Sequence, residues 1–168
     1  MKARFFFTSI ASSFAPVLSL AFALSFGLAT GLSLTAQAQT ASPVGLWKTI
    51  DDKTGQPRTI VRIEAKGEEL QGFIHQRLDP NAKPDAVCTA CSGDRLNQPI
   101  QGLNLIRGLK ANPKDSAVWE GGTILDPENG SEYRLRVKLI DGGQKLELRG
   151  YVGTPLLGRT QVWLRQPS

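Results

Sequence analysis

The chain has 168 residues, of which 20 are Lys or Arg and 15 are Asp or Glu, giving a formal net charge of +5. The basic residues are interspersed with acidic ones and only 7% of residues are aromatic, whereas a nucleic-acid groove combines a basic stripe with aromatic platforms. The composition therefore excludes a nucleic-acid partner.

The N-terminus has the pattern of a secretory signal peptide. Lys2 and Arg4 precede an apolar run from about residue 14 to residue 34, which ends in Ala36-Gln37-Ala38. We predict a signal peptide over residues 1–38 and a single domain over residues 39–168, located in the periplasm or secreted. The alternative is an uncleaved transmembrane anchor, since about 20 apolar residues can span a bilayer. After cleavage we expect no stable membrane span.

Residues 39–168 contain eight short runs of β character separated by turn residues, and no convincing amphipathic helix. The runs are 44–50, 59–64, 70–77, 100–106, 118–124, 133–139, 145–151 and 160–165. Eight consecutive antiparallel strands are enough to close a barrel and remove its edges. We predict an all-β fold, an eight-stranded antiparallel up-and-down barrel. An open two-sheet sandwich is the alternative.

The clearest alternation predicts a register between two neighbouring strands. Asp141-Gly142-Gly143 suits a tight turn with positive φ between the sixth and seventh runs. The predicted pairs are Leu139 with Leu146, Val137 with Leu148, Leu135 with Gly150, and Lys138 with Glu147. A two-residue slip would keep the faces but change every pair.

Three glycines interrupt the face predicted to line the barrel, at positions 72, 122 and 150. The apolar residues assigned to this face are Val61, Ile63, Ile74, Ile124, Leu135, Val137, Leu139, Leu146, Leu148, Val162 and Leu164. The glycines either leave volume for one small ligand or mark bulges and bends. For the first case the candidate ligand-binding residues are Trp47, Gly72, Ile74, Tyr133, Leu135 and Gly150.

The loop over residues 78–98 contains Cys88 and Cys91 in a C-x-x-C spacing. In an oxidising envelope such a pair predicts a disulfide that pins the loop. The alternative is a redox-active pair, although the motif stands among Pro and Gly residues rather than at the start of a helix. Zinc needs four ligands and His75 is the only histidine, so we predict no metal and no cofactor.

No catalytic residue can be assigned from the sequence. His75 alternates with Phe73 and Arg77, which is typical of a surface or rim position, and no partner for it is evident. Asp126 and Glu128 stand in a tight turn, where such carboxylates normally serve the backbone. The sequence gives no support for an enzyme.

Motifs along the whole domain resemble the DUF2147 family of exported bacterial proteins. They are Gly45-Leu46-Trp47, Cys88-x-x-Cys91-x-Gly93-Asp94, Asp126-Pro127-x-x-Gly130-x-x-Tyr133, Arg149-Gly150-Tyr151-Val152-Gly153, and Gly158-Arg159-Thr160-x-x-Trp163-x-Arg165. The resemblance implies a lipocalin-type barrel but no activity, because the family has no agreed one. Gly-x-Trp also resembles the lipocalin opening motif, which implies that Trp47 plugs the barrel base and that Arg165 packs across it. The plain alternative is that Trp47 is only a large core residue.

These observations favour an exported, non-catalytic barrel that binds a small apolar or amphipathic ligand. The first alternative is a structural or partner-binding envelope protein whose barrel is filled by side chains. The second is a thiol oxidoreductase that uses the C-x-x-C pair. A cavity inside the barrel distinguishes the first two readings.

Overall fold

The computed structural model describes residues 42–167, which form one closed barrel of eight antiparallel strands. In chain order the strands are β1 (Gly45–Ile50), β2 (Pro57–Lys66), β3 (Glu69–Arg77), β4 (Asn104–Asn112), β5 (Asp115–Asp126), β6 (Ser131–Ile140), β7 (Lys145–Tyr151) and β8 (Arg159–Gln166). Each strand pairs with the next, and β1 also pairs with β8. The predicted eight-stranded barrel is confirmed, and the open sandwich is wrong. Residues 1–38, predicted to be the signal peptide, lie outside the described part of the chain.

Strands β6 and β7 illustrate how the sequence pattern produces the barrel wall. Leu135, Val137 and Leu139 on β6 are buried, while Arg136 and Lys138 between them are partly exposed. This alternation of period two places one face of the strand in the core. All four predicted pairs of the register are confirmed, including Lys138 with Glu147.

The predicted inner face of β8 is wrong. Val162 is 40% exposed, whereas Trp163 is buried and lines the barrel interior. The run Val162-Trp163-Leu164 is apolar on both faces, so hydrophobicity alone does not select one. Strand alternation does, because Arg165 packs on the inward-facing Trp47 and therefore brings Trp163 inward with it.

Strand β4 differs from its predicted position. It begins at Asn104 and runs to Asn112, whereas the predicted run was 100–106. The residues between 107 and 112, which include Gly108 and Lys110, have the polar character of a turn, yet they pair with β5. The reversal occurs at 112–115, where the Asn112 side chain accepts backbone hydrogen bonds from Lys114 and Asp115.

One end of the barrel is closed by Trp47 and Arg165. The Trp47 ring is fully buried and its Nε1 donates a hydrogen bond of 2.7 Å to the Pro43 carbonyl. The Arg165 guanidinium lies over the ring, 4.2 Å from its centroid, which is within the range of a cation–π contact. Burial lowers the pKa of Arg165 below its ordinary value. Its three nitrogens donate to the carbonyls of Gly143, Val44 and Ser42.

Helical structure within residues 42–167 is limited to three short 3-10 turns, Gly93–Arg95, Asp141–Gly143 and Pro155–Leu157. In that part of the chain no helix has the length and apolar character required to cross a bilayer.

Candidate ligand cavity

The barrel interior holds a cavity of about 830 Å³. Its walls come from strand residues, and its mouth is formed by the loops at the end opposite Trp47, namely β1–β2, β3–β4, β5–β6 and β7–β8. Small-molecule sites typically have volumes of about 300–1,000 Å³. The barrel is therefore not filled by its own side chains.

The inner part of the cavity is apolar. It is lined by Ile74, Leu105, Ile124, Leu135, Leu148 and Trp163. Leu135 is fully buried and Ile74, Leu148 and Trp163 are nearly so. Each of these residues comes from a different one of the six strands β3 to β8, so the closure of the barrel is what brings them together.

Polar side chains increase toward the mouth. The hydroxyls of Thr49 and Thr59 lie 2.7 Å apart across β1 and β2, and each can donate to the other. Gln161 on β8 donates through Nε2 to Asp52, at 2.9 Å, and accepts a hydrogen bond from Trp163 Nε1 at 3.4 Å. A ligand that fits this surface combines an apolar part with a polar end.

Acidic and basic side chains are paired around the mouth. Asp52 on the β1–β2 turn forms an ion pair with Arg159 at the start of β8. The hydrogen bond from Gln161, together with the contact to Arg159, lowers the pKa of Asp52 below its ordinary value. Asp52 is thus held as a carboxylate at the edge of the cavity.

A second ion pair joins Arg58 at the start of β2 to Glu128 on the β5–β6 turn. Around the barrel these elements are separated by β3 and β4, so the pair crosses part of the mouth. Arg58 also lies 3.9 Å from Asp51. Both side chains of the crossing pair are substantially exposed, at 43% and 65%, and exposed pairs contribute little free energy. The crossing can therefore break without a large cost.

The three inner glycines have different surroundings. A Cβ at Gly150 would meet Tyr133 and Ile124 at ordinary contact distances of 3.6 and 3.7 Å. At Gly72 it would meet the Ile106 side chain at 3.0 Å, and at Gly122 the backbone of the neighbouring strand at 2.5 Å. Gly150 therefore adds volume to the cavity, whereas Gly72 makes room for Ile106 and Gly122 for a close backbone approach.

The structure brings together four of the six candidate ligand-binding residues. Ile74, Tyr133, Leu135 and Gly150 line the cavity, whereas Trp47 lies in the closed base and Gly72 is covered by Ile106. Sequence reasoning missed several lining residues: Trp163, Gln161, Asp52 and Arg159. Residues at every second position of a strand share one face. The predicted Trp47–Arg165 contact would therefore have placed Trp163 and Gln161 on the inward face of β8.

The β3–β4 loop, residues 78–103, forms a strap that reaches the β5–β6 turn. The predicted disulfide between Cys88 and Cys91 is confirmed, with 5.4 Å between the two Cα atoms. Both cysteines are buried, with 1% and 5% of their surface exposed. Cys88 Sγ lies 3.6 Å from the Pro127 carbonyl, and a Cβ at Gly130 would overlap the Ala90 carbonyl. The disulfide thus fixes the part of the strap that supports the mouth.

Arg95 fastens the strap to β6. Its side chain is 7% exposed and forms a 2.8 Å ion pair with Glu132, which lowers the pKa of that carboxyl. Beside it, Arg107 on β4 forms two hydrogen bonds with Asp94, at 3.0 and 2.8 Å. These ion pairs position the strap on the outside of the barrel.

No cluster of metal-ligating side chains is evident in the part of the chain that the structure describes. Within residues 42–167 no three His, Cys, Asp or Glu side chains come together in a way that could hold a metal ion. His75 is exposed on β3. The cavity itself presents an apolar inner surface and polar groups at its mouth.

Fold and cavity together define the class: a lipocalin-like barrel with an open internal cavity. The sequence matches the family model described as "Uncharacterized protein conserved in bacteria (DUF2147)" over residues 45–165. The chain therefore belongs to the DUF2147 family, as its motifs indicated.

Among solved structures the chain is similar to the protein HP1028 from the human pathogen Helicobacter pylori, which is described as belonging to the lipocalin family. The TM-score is 0.64 at 19% sequence identity, and the match covers 76% of this chain and 85% of that one. At this identity the likeness concerns the fold. A comparison with curated proteins finds no match.

Proposed function

We propose that this protein is a non-catalytic carrier that binds one small amphipathic ligand inside the barrel. The observation that carries the proposal is the cavity of about 830 Å³, whose inner part is apolar and whose mouth is polar and charged. An apolar body gains free energy by leaving water for the inner part, at about 25 cal/mol per Å² of buried surface. A polar end finds hydrogen-bonding groups near Gln161 and Thr59.

We also propose that the protein works outside the cytoplasm, in the periplasm or as a secreted protein. The charged N-terminus, the apolar run and the Ala36-Gln37-Ala38 sequence support export. The buried disulfide is compatible with this compartment, because disulfides persist in oxidising surroundings.

The two other functions receive less support. A structural barrel whose core is filled by side chains would not contain an open cavity of this volume. A thiol oxidoreductase requires an accessible sulfur, because exchange begins with attack on a disulfide sulfur. Cys88 and Cys91 are almost completely buried, which argues against exchange chemistry.

Native mass spectrometry of the protein purified from its own envelope tests the proposal directly. We expect an additional small-molecule mass that survives gentle ionisation and is lost on denaturation. The same spectrum gives the N-terminus, which we expect at Gln39. A fluorescent amphipathic probe, 1-anilinonaphthalene-8-sulfonate, provides a second measurement, since Trp163 in the cavity wall can report its binding.

A cavity-filling variant separates binding in the barrel from binding elsewhere. Gly150→Leu places four carbon atoms inside the cavity and should weaken probe binding at least about tenfold. Val162→Leu adds apolar volume on the outward face of β8 and should leave the affinity unchanged. If both variants bind the probe as the unaltered protein does, the cavity is not the binding site.

A further inference from the structure

The loop between β7 and β8 exposes apolar side chains beside the cavity mouth. Val152, Leu156 and Leu157 are 67%, 89% and 83% exposed, whereas the other exposed large apolar residues of the described chain range from 40% to 46%. We call these three residues the apolar tip. Val152 and Leu157 also line the cavity. Clustered exposed apolar surface of this kind marks an interaction site.

The apolar tip is held in place by its own strand. Arg149 on β7 donates hydrogen bonds to the carbonyls of Pro155 and Leu156 and to the Thr160 hydroxyl. Pro155 begins the 3-10 turn that carries both leucines. The leucines are therefore presented to solvent by a fixed backbone rather than by a loop that could fold them inward.

A basic surface adjoins the apolar tip. The outward positions of β6 and β7 carry five basic side chains against two acidic ones, because the residues between them face the core. The basic residues are Arg134, Arg136, Lys138, Lys145 and Arg149, and the acidic residues are Glu132 and Glu147. Glu132 is paired with Arg95, while Arg136 is paired with Glu120 and Lys145 with Asp141. Arg134, Lys138 and Arg149 carry the remaining surplus, against Glu147. We call this surface the basic face.

The mouth itself is close to neutral. Its acidic lining residues, Asp51, Asp52, Asp79, Asp126 and Glu128, lie among the basic residues Lys53, Arg58, Arg77 and Arg159. Asp52 is paired with Arg159, and Glu128 is paired with Arg58. Arg134 and Arg149 lie at the mouth ends of β6 and β7, next to the apolar tip. Exposed apolar groups therefore lie beside basic ones on this side of the barrel. That combination favours the surface of a bilayer containing anionic lipids, where apolar side chains enter the interface and basic ones meet the headgroups.

We infer that the apolar tip and the basic face dock the barrel onto an anionic lipid bilayer, with the cavity mouth toward the lipid. Such contact is peripheral and needs no membrane-spanning segment. The positive charge of the basic face favours an anionic lipid surface over an apolar protein partner, which offers no negative charge. It also disfavours a second copy of the chain, because that copy would carry the same positive surface. The inference does not depend on ligand binding, because lipid contact requires only that the apolar tip and the basic face are exposed, and it does not require an occupied cavity.

Vesicle co-sedimentation tests the inference with proteins that begin at Gln39, because the apolar run before that residue would itself enter lipid. The barrel's strand pairing lies entirely within residues 45–166, and thermal unfolding checks that each protein is folded. One set of vesicles contains phosphatidylcholine alone, and the other contains equal parts of phosphatidylcholine and phosphatidylglycerol. We expect binding to the mixed vesicles that weakens as salt is raised.

Two sets of variants assign the binding to its surfaces. Leu156→Ser combined with Leu157→Ser should reduce partition onto mixed vesicles at least about tenfold, since two leucines no longer leave water. The control combines Val44→Ser with Leu96→Ser, which removes exposed apolar side chains outside the tip, and should bind normally. Arg134→Gln combined with Arg136→Gln should remove the preference for phosphatidylglycerol.

Two results would overturn the inference: the unaltered protein remains in the supernatant with both kinds of vesicle, or the serine variant of the tip binds as well as its control. A third result would assign the tip to contact with a second copy of the chain. In that case the unaltered protein does not bind vesicles, it forms a dimer in sedimentation velocity, and the tip variant does not form this dimer. Probe binding in the absence of lipid is measured on the same proteins, so a failure of ligand binding is seen separately.

Discussion

Gly122 and Gly150 both face inward, yet they should respond differently to the same substitution. Gly122→Ala places a Cβ 2.5 Å from the Arg107 carbonyl oxygen and 2.7 Å from the Leu109 nitrogen. Backbone atoms cannot move aside as a side chain can, so we expect a loss of about 1–3 kcal/mol in the free energy of unfolding.

Gly150→Ala is the matched control, because its Cβ has ordinary contacts at 3.6 Å and beyond. We expect its free energy of unfolding to change by less than about 1 kcal/mol, with a reduced entropy of the unfolded chain acting in its favour. Urea unfolding of the two variants and the unaltered protein measures both effects. Equal destabilisation would show that Gly122 is not at a close approach.

Asp52 should contribute to stability in a pH-dependent way. Its folded-state pKa is lowered, first by the hydrogen bond from Gln161 and then by Arg159. A lowered pKa stabilises the folded protein above the unfolded value of about 3.9, and this contribution disappears as pH falls through the folded value. Asp52 is 39% exposed, so solvent screening keeps the effect below about 1 kcal/mol.

Asp52→Asn therefore lowers the melting temperature at neutral pH, and the difference should vanish in strong acid. Melting curves of the two proteins between neutral pH and about pH 2 measure this convergence. A difference that stays constant over the whole range would assign the effect to packing rather than to the charge.

At the scale of elements, the strap is expected to depend on the disulfide more than the barrel does. Closing so short a loop contributes about 2 kcal/mol by the chain-entropy estimate. Cys88→Ala combined with Cys91→Ala should therefore leave the barrel folded while amide exchange rises in the strap and at the β5–β6 turn. Hydrogen-exchange mass spectrometry measures this, with the reduced unaltered protein as a comparison. Complete unfolding would mean that the disulfide holds the whole fold.

The ion pair across the mouth should control how fast a ligand enters. Glu128→Gln removes the attraction to Arg58, and we expect the association rate constant of the amphipathic probe to rise by up to about fivefold. In the unaltered protein the rate should also rise with salt, because exposed charges are screened.

Stopped-flow fluorescence measures these rates. Glu120→Gln is the control, because it breaks an exposed pair with Arg136, 3.7 Å apart, on the outside of the barrel. Equal rates in all three proteins, or a salt dependence that persists in Glu128→Gln, would contradict a role for the pair in ligand entry.

The sequence predicted elements well where one face was clearly apolar. β6 and β7 alternate cleanly, so their register could be derived from side-chain faces and from Gly150. β8 could not be oriented by hydrophobicity, because its more apolar face, with Val162 and Leu164, points outward, whereas its inward face carries Trp163 between Gln161 and Arg165. The predicted position of β4 was too early in the chain, because the second half of the strand is polar. Its pairing with β5 depends on contacts between the two strands, which the local sequence pattern does not report.

For the whole molecule, the number of strands followed from regular spacing. The same pattern allowed a closed barrel or an open sandwich, and it did not predict the volume of the cavity. The cavity volume depends on whether each inward-facing glycine adjoins open space, as Gly150 does, or a packed side chain, as Gly72 does against Ile106. The ion pairs at the mouth join residues that are far apart in the sequence, such as Arg58 and Glu128, which are separated by 70 positions. No sequence period reports such a contact, since it arises only when the barrel closes.

The closed base made by Trp47 and Arg165 has a consequence for the order of events at the mouth. Because the base is closed, a bound molecule and its replacement must both pass through the cavity mouth, so the first must leave before the second can enter. Adding more competitor should therefore leave the dissociation rate constant of the probe unchanged, which a displacement experiment at several competitor concentrations measures. If the proposed amphipathic ligand binds, we expect it to enter with its apolar end first, to leave with its polar end first, and to expose only that polar end while it is bound.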